Sequence, residues 1–412
     1  MFHRVETASR KLKAYHGLID DELYEEIVQL ARRIRGIRIL HINSTSTRGG
    51  IPEILGNEVP LLNDLGAKAA WQTFDVPNDV YALTKYIHNG LQGSAKPLDV
   101  SGWSRYETFN KQLAKQFKPG QWDVIFIHDH QPAALLPFMA NKGKAKWLWR
   151  CHVDLTQPNP DYQKRFIDYI QTYDGVIFQA SDYVFKGYQP THLLISPVAI
   201  DPLSPKNLPM SKNQARQILR SFGIDTHWPI MTRLSRFDPW KDIPGAVHAW
   251  QLAKQKIPAL QLVIAGAVSP HDIQGQAILE EVSQLITGQA DVHLLINKIS
   301  GRTAKAFLVA SDVMLQNSIR EGLGLSVSEA LWSLTPVIGN DEGGMRLHIV
   351  NGKNGYLVDN IKDCADRLVT LLQDQSLATK MGEFGHEYVR KHFLLPRMMR
   401  DELRFIHQLL QE

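Results

Sequence analysis

A chain of 412 residues, 44% hydrophobic and 21% charged, exceeds what one hydrophobic core supports; it excludes a disordered or fibrous protein and implies two domains. A net charge of +4 is too mild for a nucleic-acid binder, and short basic clusters such as Arg32-Arg33-Ile34-Arg35 read as a solvated helix face. Two distant cysteines (Cys151 and Cys364), an N-terminus without an apolar signal core, and no run near the ~20 apolar residues of a membrane helix fit a soluble, reduced, cytoplasmic protein.

Asp20 is placed to cap a first helix, with Leu23, Ile27, Leu30 and Ile34 at helical spacing and Gly36 at its end. Residues 37–42 read as a strand, followed by a polar loop ending in Gly49-Gly50 and a helix from about Pro52 that carries Ile54, Leu55, Val59 and Leu62. Strand, glycine turn and helix make half of a dinucleotide-type unit, although the spacing is not the full G-x-G-x-x-G. Further strands are expected at 69–74, 124–128, 146–152 and 175–178. Prolines crowd at 195–205, where periodicity stops; this is the expected linker.

A second series follows, with strands at 229–234, 260–266, 292–295, 312–316 and 335–340, a tail helical from about Leu368 and a last helix over about 397–410. The polar residues in 229–234 weaken that strand. Two α/β series joined by a proline-rich link predict two Rossmann-like α/β/α domains facing across a cleft. Their expected bounds are 1–198 and 199–392, with a C-terminal helix at about 393–412 packing back on the first.

The most informative stretch is 318–330, a loop holding Glu321, Gly322 and Gly324 that feeds a helix carrying Glu329. Glycines let a ligand approach the backbone, and the start of the helix suits a phosphate. Glu329, eight residues past Glu321, could point to the same side, one acid for a sugar hydroxyl and the other for a ribose. The plainer reading is two solvated glutamates at an ordinary turn. A second glycine turn, Glu342-Gly343-Gly344, after another buried strand argues for a cleft at the sheet's carboxyl edge.

Upstream, Ser235-Arg236-Phe237-Asp238-Pro239-Trp240-Lys241-Asp242 sets two cations about a proline turn. Arg236 offers a planar fork and Lys241 a point charge, a sensible pair for a diphosphate whose charge grows as a sugar–phosphate bond breaks; a salt-bridged surface turn is the plainer alternative. His128-Asp129-His130 could suggest a metal, but no third ligand stands at a recognisable spacing, and polar strand ends lining an acceptor pocket explain it better. No metal site is identified. His88-Asn89 reads as a surface turn. Trp240 is placed to stack on a sugar, though a tryptophan is more often core.

Together, 235–241 and the E-x7-E pair Glu321–Glu329 resemble the donor site of retaining glycosyltransferases of family 4, which have the two-domain GT-B fold. More narrowly, the words at 41–45, 59–66, 88–93, 149–155, 235–241 and 318–332 resemble the trehalose glycosyltransferring synthases, grouped with trehalose phosphorylase-like proteins. E-x7-E marks a large superfamily; the Arg-Cys-His and Arg-Phe-Asp-Pro-Trp-Lys words mark a small branch.

The resemblance implies that Arg236 and Lys241 hold the donor diphosphate, Glu321 the sugar hydroxyls and Glu329 the nucleotide ribose. Backbone N–H groups over Gly322, Leu323, Gly324 and Leu325 would contact sugar or phosphate, and Gly49 and Gly50 would close over the phosphates. His152 matches a histidine beside the donor sugar near the reacting centre. Asn43, Asp129 and Asp154 are the acceptor-side candidates. Related chains carry three glycines in a row where Arg48 takes the first place here, which bears on nucleotide and acceptor preference.

The expected function is a retaining transfer of glucose from a nucleoside-diphosphate glucose to free glucose, giving trehalose. No cofactor is required by the sequence, with a divalent metal left open. The expected partners are small sugars and a nucleotide sugar, not nucleic acid or membrane, with a homodimer left open. The alternatives are a trehalose phosphorylase using glucose 1-phosphate, a family 4 transferase with another acceptor, and a sensor with a decayed site. Retention of Arg236, Lys241, Glu321, Glu329 and His152 argues against decay.

Overall fold

The computed structural model describes every residue except Arg48, 269–271, Ser300 and Leu323. The chain divides into two compact units, one formed by Met1–Ala199 with Leu395–Glu412 and the other by Ile200–Leu394. Each is a twisted sheet with helices on its faces. Arg48 and Leu323, both singled out above, lie outside the described residues.

Among the described residues, the first unit holds seven strands: β1 (Phe2–Val5), β2 (Arg38–Asn43), β3 (Lys68–Phe74), β4 (Val124–His128), β5 (Lys146–Arg150), β6 (Gly175–Phe178) and β7 (Leu193–Ile195). Their order in the sheet is β1-β3-β2-β4-β5-β6-β7. All neighbours are parallel except β1, which runs antiparallel to β3. Helices cover both faces of a parallel sheet, so its central strands are apolar throughout rather than alternating. Every residue of β4 is buried accordingly. β7 takes in Ile195, the first residue of the expected linker. The strand expected to run to residue 152 ends at Arg150, which leaves His152 in the loop beyond.

Among the described residues, the second unit holds six parallel strands: β8 (Ile230–Leu234), β9 (Gln261–Gly266), β10 (Val292–Ile296), β11 (Val313–Gln316), β12 (Val337–Asn340) and β13 (Gly355–Val358). Their order is β10-β9-β8-β11-β12-β13. In each sheet the strand order reverses at one point, between β2 and β4 in the first and between β8 and β11 in the second. Loops leaving the carboxyl ends of strands at such a point diverge and open a crevice. The candidate residues cluster there in both units.

The helix Leu395–Leu410 belongs to the first unit, where Leu395, Met398, Met399, Leu403, Ile406 and Leu409 are buried. It lies against the helix Asp21–Arg33, and Arg404 pairs with Glu26 across the contact. Arg150, only 1% exposed at the end of β5, is ion-paired to Glu402 on the same helix. Among the described residues, no helix is long and apolar enough to cross a membrane.

Candidate active site

In the second unit, the loops after β8 and β11 meet. Lys241 ends a short 3-10 turn, Pro239–Lys241, and its Nζ donates to Glu321 Oε2 at 2.7 Å. Glu321 Oε2 also accepts from Gln316 Nε2 at 3.0 Å, and Oε1 from the Gly324 N–H at 3.4 Å. Burial alone would raise this carboxyl. The Lys241 ammonium outweighs it and, with those hydrogen bonds, holds Glu321 at about 2. A fixed carboxylate and a fixed ammonium therefore stand side by side at the strand ends.

The turn carrying Lys241 is pinned from several sides. Asp242 adopts a left-handed conformation (φ 43°), caps the helix Ile243–Lys254 through the Gly245 N–H, and accepts from Asn317 Nδ2 at 2.8 Å. The Ile319 N–H donates to the Trp240 carbonyl at 2.8 Å, stitching one loop to the other. Beneath both lies Arg233 of β8, fully buried, donating to the Lys241 carbonyl and to Gln316 Oε1. Burial lowers its pKa to about 10, with Glu321 and Asp242 opposing that shift. Sequence reasoning missed Arg233; a charged residue inside a buried strand was the available signal.

Arg236 behaves differently. Its side chain is 61% exposed and lies 3.9 Å from Asp238, so the two cations do not form a fixed pair. Gly324 sits at φ 62° and precedes the helix Leu325–Trp332; a Cβ there would come within 2.5 Å of the His348 ring. His348 in turn bonds Ser328 at 2.9 Å. The second glycine turn packs on the first, with the Gly344 N–H donating to the Glu321 carbonyl at 2.8 Å. It opens only the short helix Met345–His348. Glu329 is buried and ion-paired with Lys206. The two acids of the E-x7-E pair thus each hold their own lysine.

In the first unit, Gly49 (φ 124°) precedes the helix Gly50–Asp64, whose opening N–H groups include that of Gly50. Asp129 leaves β4 in a left-handed conformation (φ 68°) and lies 3.3 Å from His130. Burial opposes its charge, but the contact with His130 holds it at about 2. Its Oδ1 accepts from the His152 N–H at 3.4 Å. His152 is 6% exposed, and burial lowers it to about 3. Asn43, the last residue of β2, and Asp154 are buried: Asn43 accepts from Trp71 Nε1 of β3 and donates to the Thr45 carbonyl, and Asp154 accepts from Thr156. His88 and Asn89 lie in the helix Asn78–Leu91 rather than a surface turn, and the His88 ring meets His130 at 5.4 Å. Among the described residues, no group of three His, Cys, Asp or Glu side chains is arranged to hold a metal ion.

Residues 41–185 match the family model described as trehalose synthase, N-terminal domain, and residues 214–388 match that described as glycosyl transferases group 1. The trehalose synthase of Rubrobacter xylanophilus is 38% identical over 415 residues, covering 100% of both chains. The trehalose phosphorylase of Pleurotus pulmonarius is 25% identical over 430 residues, covering 92% of this chain and 58% of its own. Among solved structures, a UDP-forming α,α-trehalose-phosphate synthase from Burkholderia xenovorans aligns with a TM-score of 0.73 at 14% identity, covering 92% of this chain and 100% of its own.

That structural likeness and the two Rossmann-like units show the GT-B fold, and the family models with the 38% identical relative make the chain a glycosyltransferase. The chain belongs to the trehalose synthase family, which is related to the trehalose phosphorylases.

Proposed function

We propose that this protein is a retaining glucosyltransferase of family 4 that makes trehalose from a nucleoside-diphosphate glucose and glucose. The observation that carries the reading is the Lys241–Glu321 pair, held at 2.7 Å at the strand ends of the second unit. An ammonium suits the diphosphate, where charge grows as the bond to the sugar breaks. A carboxylate kept ionised by that ammonium suits the hydroxyls of the same sugar.

Arg236 reaches the diphosphate from its exposed position and adds a bidentate contact. Glu329 takes the ribose by exchanging its bond with Lys206. The N–H groups of Gly322, Gly324 and Leu325, and those of Gly49 and Gly50, serve sugar or phosphate oxygens. His152 lies beside the sugar. Asp129 is the acceptor-side group with a fixed charge, while Asn43 and Asp154 act through the loops they hold.

Transfer then needs no side-chain nucleophile. The acceptor oxygen bonds the anomeric carbon on the face the diphosphate leaves, and the acceptor's proton passes to the departing phosphate oxygen.

A product assay tests the reading. Glucose is incubated with the protein and, separately, with uridine-, adenosine- and guanosine-diphosphate glucose and with glucose 1-phosphate. Trehalose from a nucleotide donor is the expected result and identifies the base. Trehalose from glucose 1-phosphate alone would move the protein to the phosphorylases. Nucleotide-sugar turnover without trehalose would mean a different acceptor.

A further inference from the structure

Three imidazoles of the first unit lie in a row. His41 of β2 and His128 of β4 share one face of adjacent strands, and His152 follows two residues after Arg150 at the end of β5. His41 Nδ1 is 3.0 Å from His128 Nε2, and His128 Nδ1 is 3.0 Å from His152 Nε2. The rings are stacked, with centroids 5.3 Å apart in both pairs. At one end, His41 Nε2 lies 3.8 Å from the buried carboxylate of Glu58, on the helix Gly50–Asp64. At the other, His152 Nδ1 is buried and has no hydrogen-bond partner among the described residues.

This geometry fixes proton positions. Burial disfavours the charged form of all three rings, so each carries a single N–H. Each contact between rings needs one donor and one acceptor. Two arrangements satisfy both contacts: every N–H points toward Glu58, or every N–H points away from it. In the second, the lone pair of His41 Nε2 faces the Glu58 carboxylate, which is repulsive in a buried setting. The Arg150 guanidinium interacts with Glu58 and disfavours a charged His41. Its own ion pair with Glu402, and the pairing of Asp129 with His130, complete the charges around the row. The first arrangement wins, placing the His152 proton on Nε2 and a lone pair on Nδ1.

We propose that Glu58, acting through His41 and His128, locks His152 in its Nε2–H tautomer, so that Nδ1 presents a fixed acceptor to a hydroxyl of the substrate sugar. The sugar contact rests on the functional reading above; the tautomer does not. Glu58, His41 and His128 are positioning residues, and none needs to touch substrate.

The test begins with the wild-type protein labelled with 15N in its histidines. Long-range ring correlations read each nitrogen as bearing a proton or a lone pair, and loss of signals in His152→Asn assigns that ring. The expected result is a proton on Nε2 and a lone pair on Nδ1; a proton on Nδ1 overturns the proposal, whichever sugar nucleotide the enzyme uses. The second variant is Glu58→Gln, whose amide can donate to His41 as readily as accept from it. The Nδ1–H form should then appear in the spectrum, with kcat falling about ten-fold and the nucleotide-sugar KM changing less than about two-fold, as expected for one misdirected hydrogen bond. An unchanged tautomer refutes the lock, and a changed tautomer with unchanged kcat refutes the sugar contact. If Glu58→Gln does not fold, the wild-type spectrum still decides the tautomer.

Discussion

Lys241 and Glu321 stand 80 residues apart in the chain and 2.7 Å apart in space. Removing either strands a buried partner and deletes a contact aimed at the departing diphosphate or the sugar. Glu321→Ala and Lys241→Ala should each lose at least ~100-fold in turnover with the fold intact; steady-state rates near wild type in both would refute the assignment. The same pair sets an acid sensitivity. Glu321 is depressed from 4.5 to about 2, so its contribution to stability is complete above its ordinary range and disappears as the pH falls from about 4.5 towards 2. Acid titration followed by circular dichroism should therefore show Glu321→Gln losing less stability than wild type across that interval. An identical acid limb would mean that the Lys241 contact is absent in solution. Glu321 was legible in the sequence because a glycine turn after an apolar run announces a strand end. Its partner was not: Lys241 was matched with Arg236, since the nearer cation in sequence suggested a pair and only the adjacency of β8 and β11 brings Lys241 to Glu321 instead.

The elements repeat this contrast between local and distant information. Central strands such as Val124–His128 and Gln261–Gly266 announce themselves through continuous apolar runs, because both faces of a parallel sheet are covered. The strands left unread, Phe2–Val5, Leu193–Ile195 and Gly355–Val358, are all edge strands of three or four residues. Phe2–Val5 has its two middle residues exposed, and its strand character comes from pairing with β3. The glycine turns were readable as turns, but not as a packed pair. Gly324→Ala would force a left-handed alanine and drive a methyl into the His348 ring, costing about 1–3 kcal/mol. Denaturant unfolding measures that loss, and donor KM should rise with it because the loop bearing Glu321 must shift. Stability and KM both at wild-type values would show that the loop adapts freely.

At the scale of the whole molecule, the first unit is interrupted: residues 1–199 form it with 395–412, and all of the second unit intervenes. The Ile200 N–H bonds the Phe393 carbonyl at 2.9 Å, so the chain enters and leaves the second unit at one place. Just beyond, Arg397 donates to Ser196 and to the Pro197 carbonyl. The helix so anchored supplies Glu402 to the buried Arg150. Glu402→Ala should destabilise the first unit by about 3–5 kcal/mol, the cost of leaving a buried charge unpaired. Thermal unfolding followed by tryptophan fluorescence would detect it, and a melting point equal to that of wild type would count against the pair. The sequence placed a helix here but could not show that it answers an arginine some 250 residues earlier, because burial of Arg150 is a property of the assembled sheet. The interruption also imposes a timetable on synthesis. A ribosome finishes the contiguous second unit before it makes the helix that the first unit needs, so the nascent first unit must wait with Arg150 lacking Glu402 and an apolar face uncovered. The part of the chain begun first is the last to be completed.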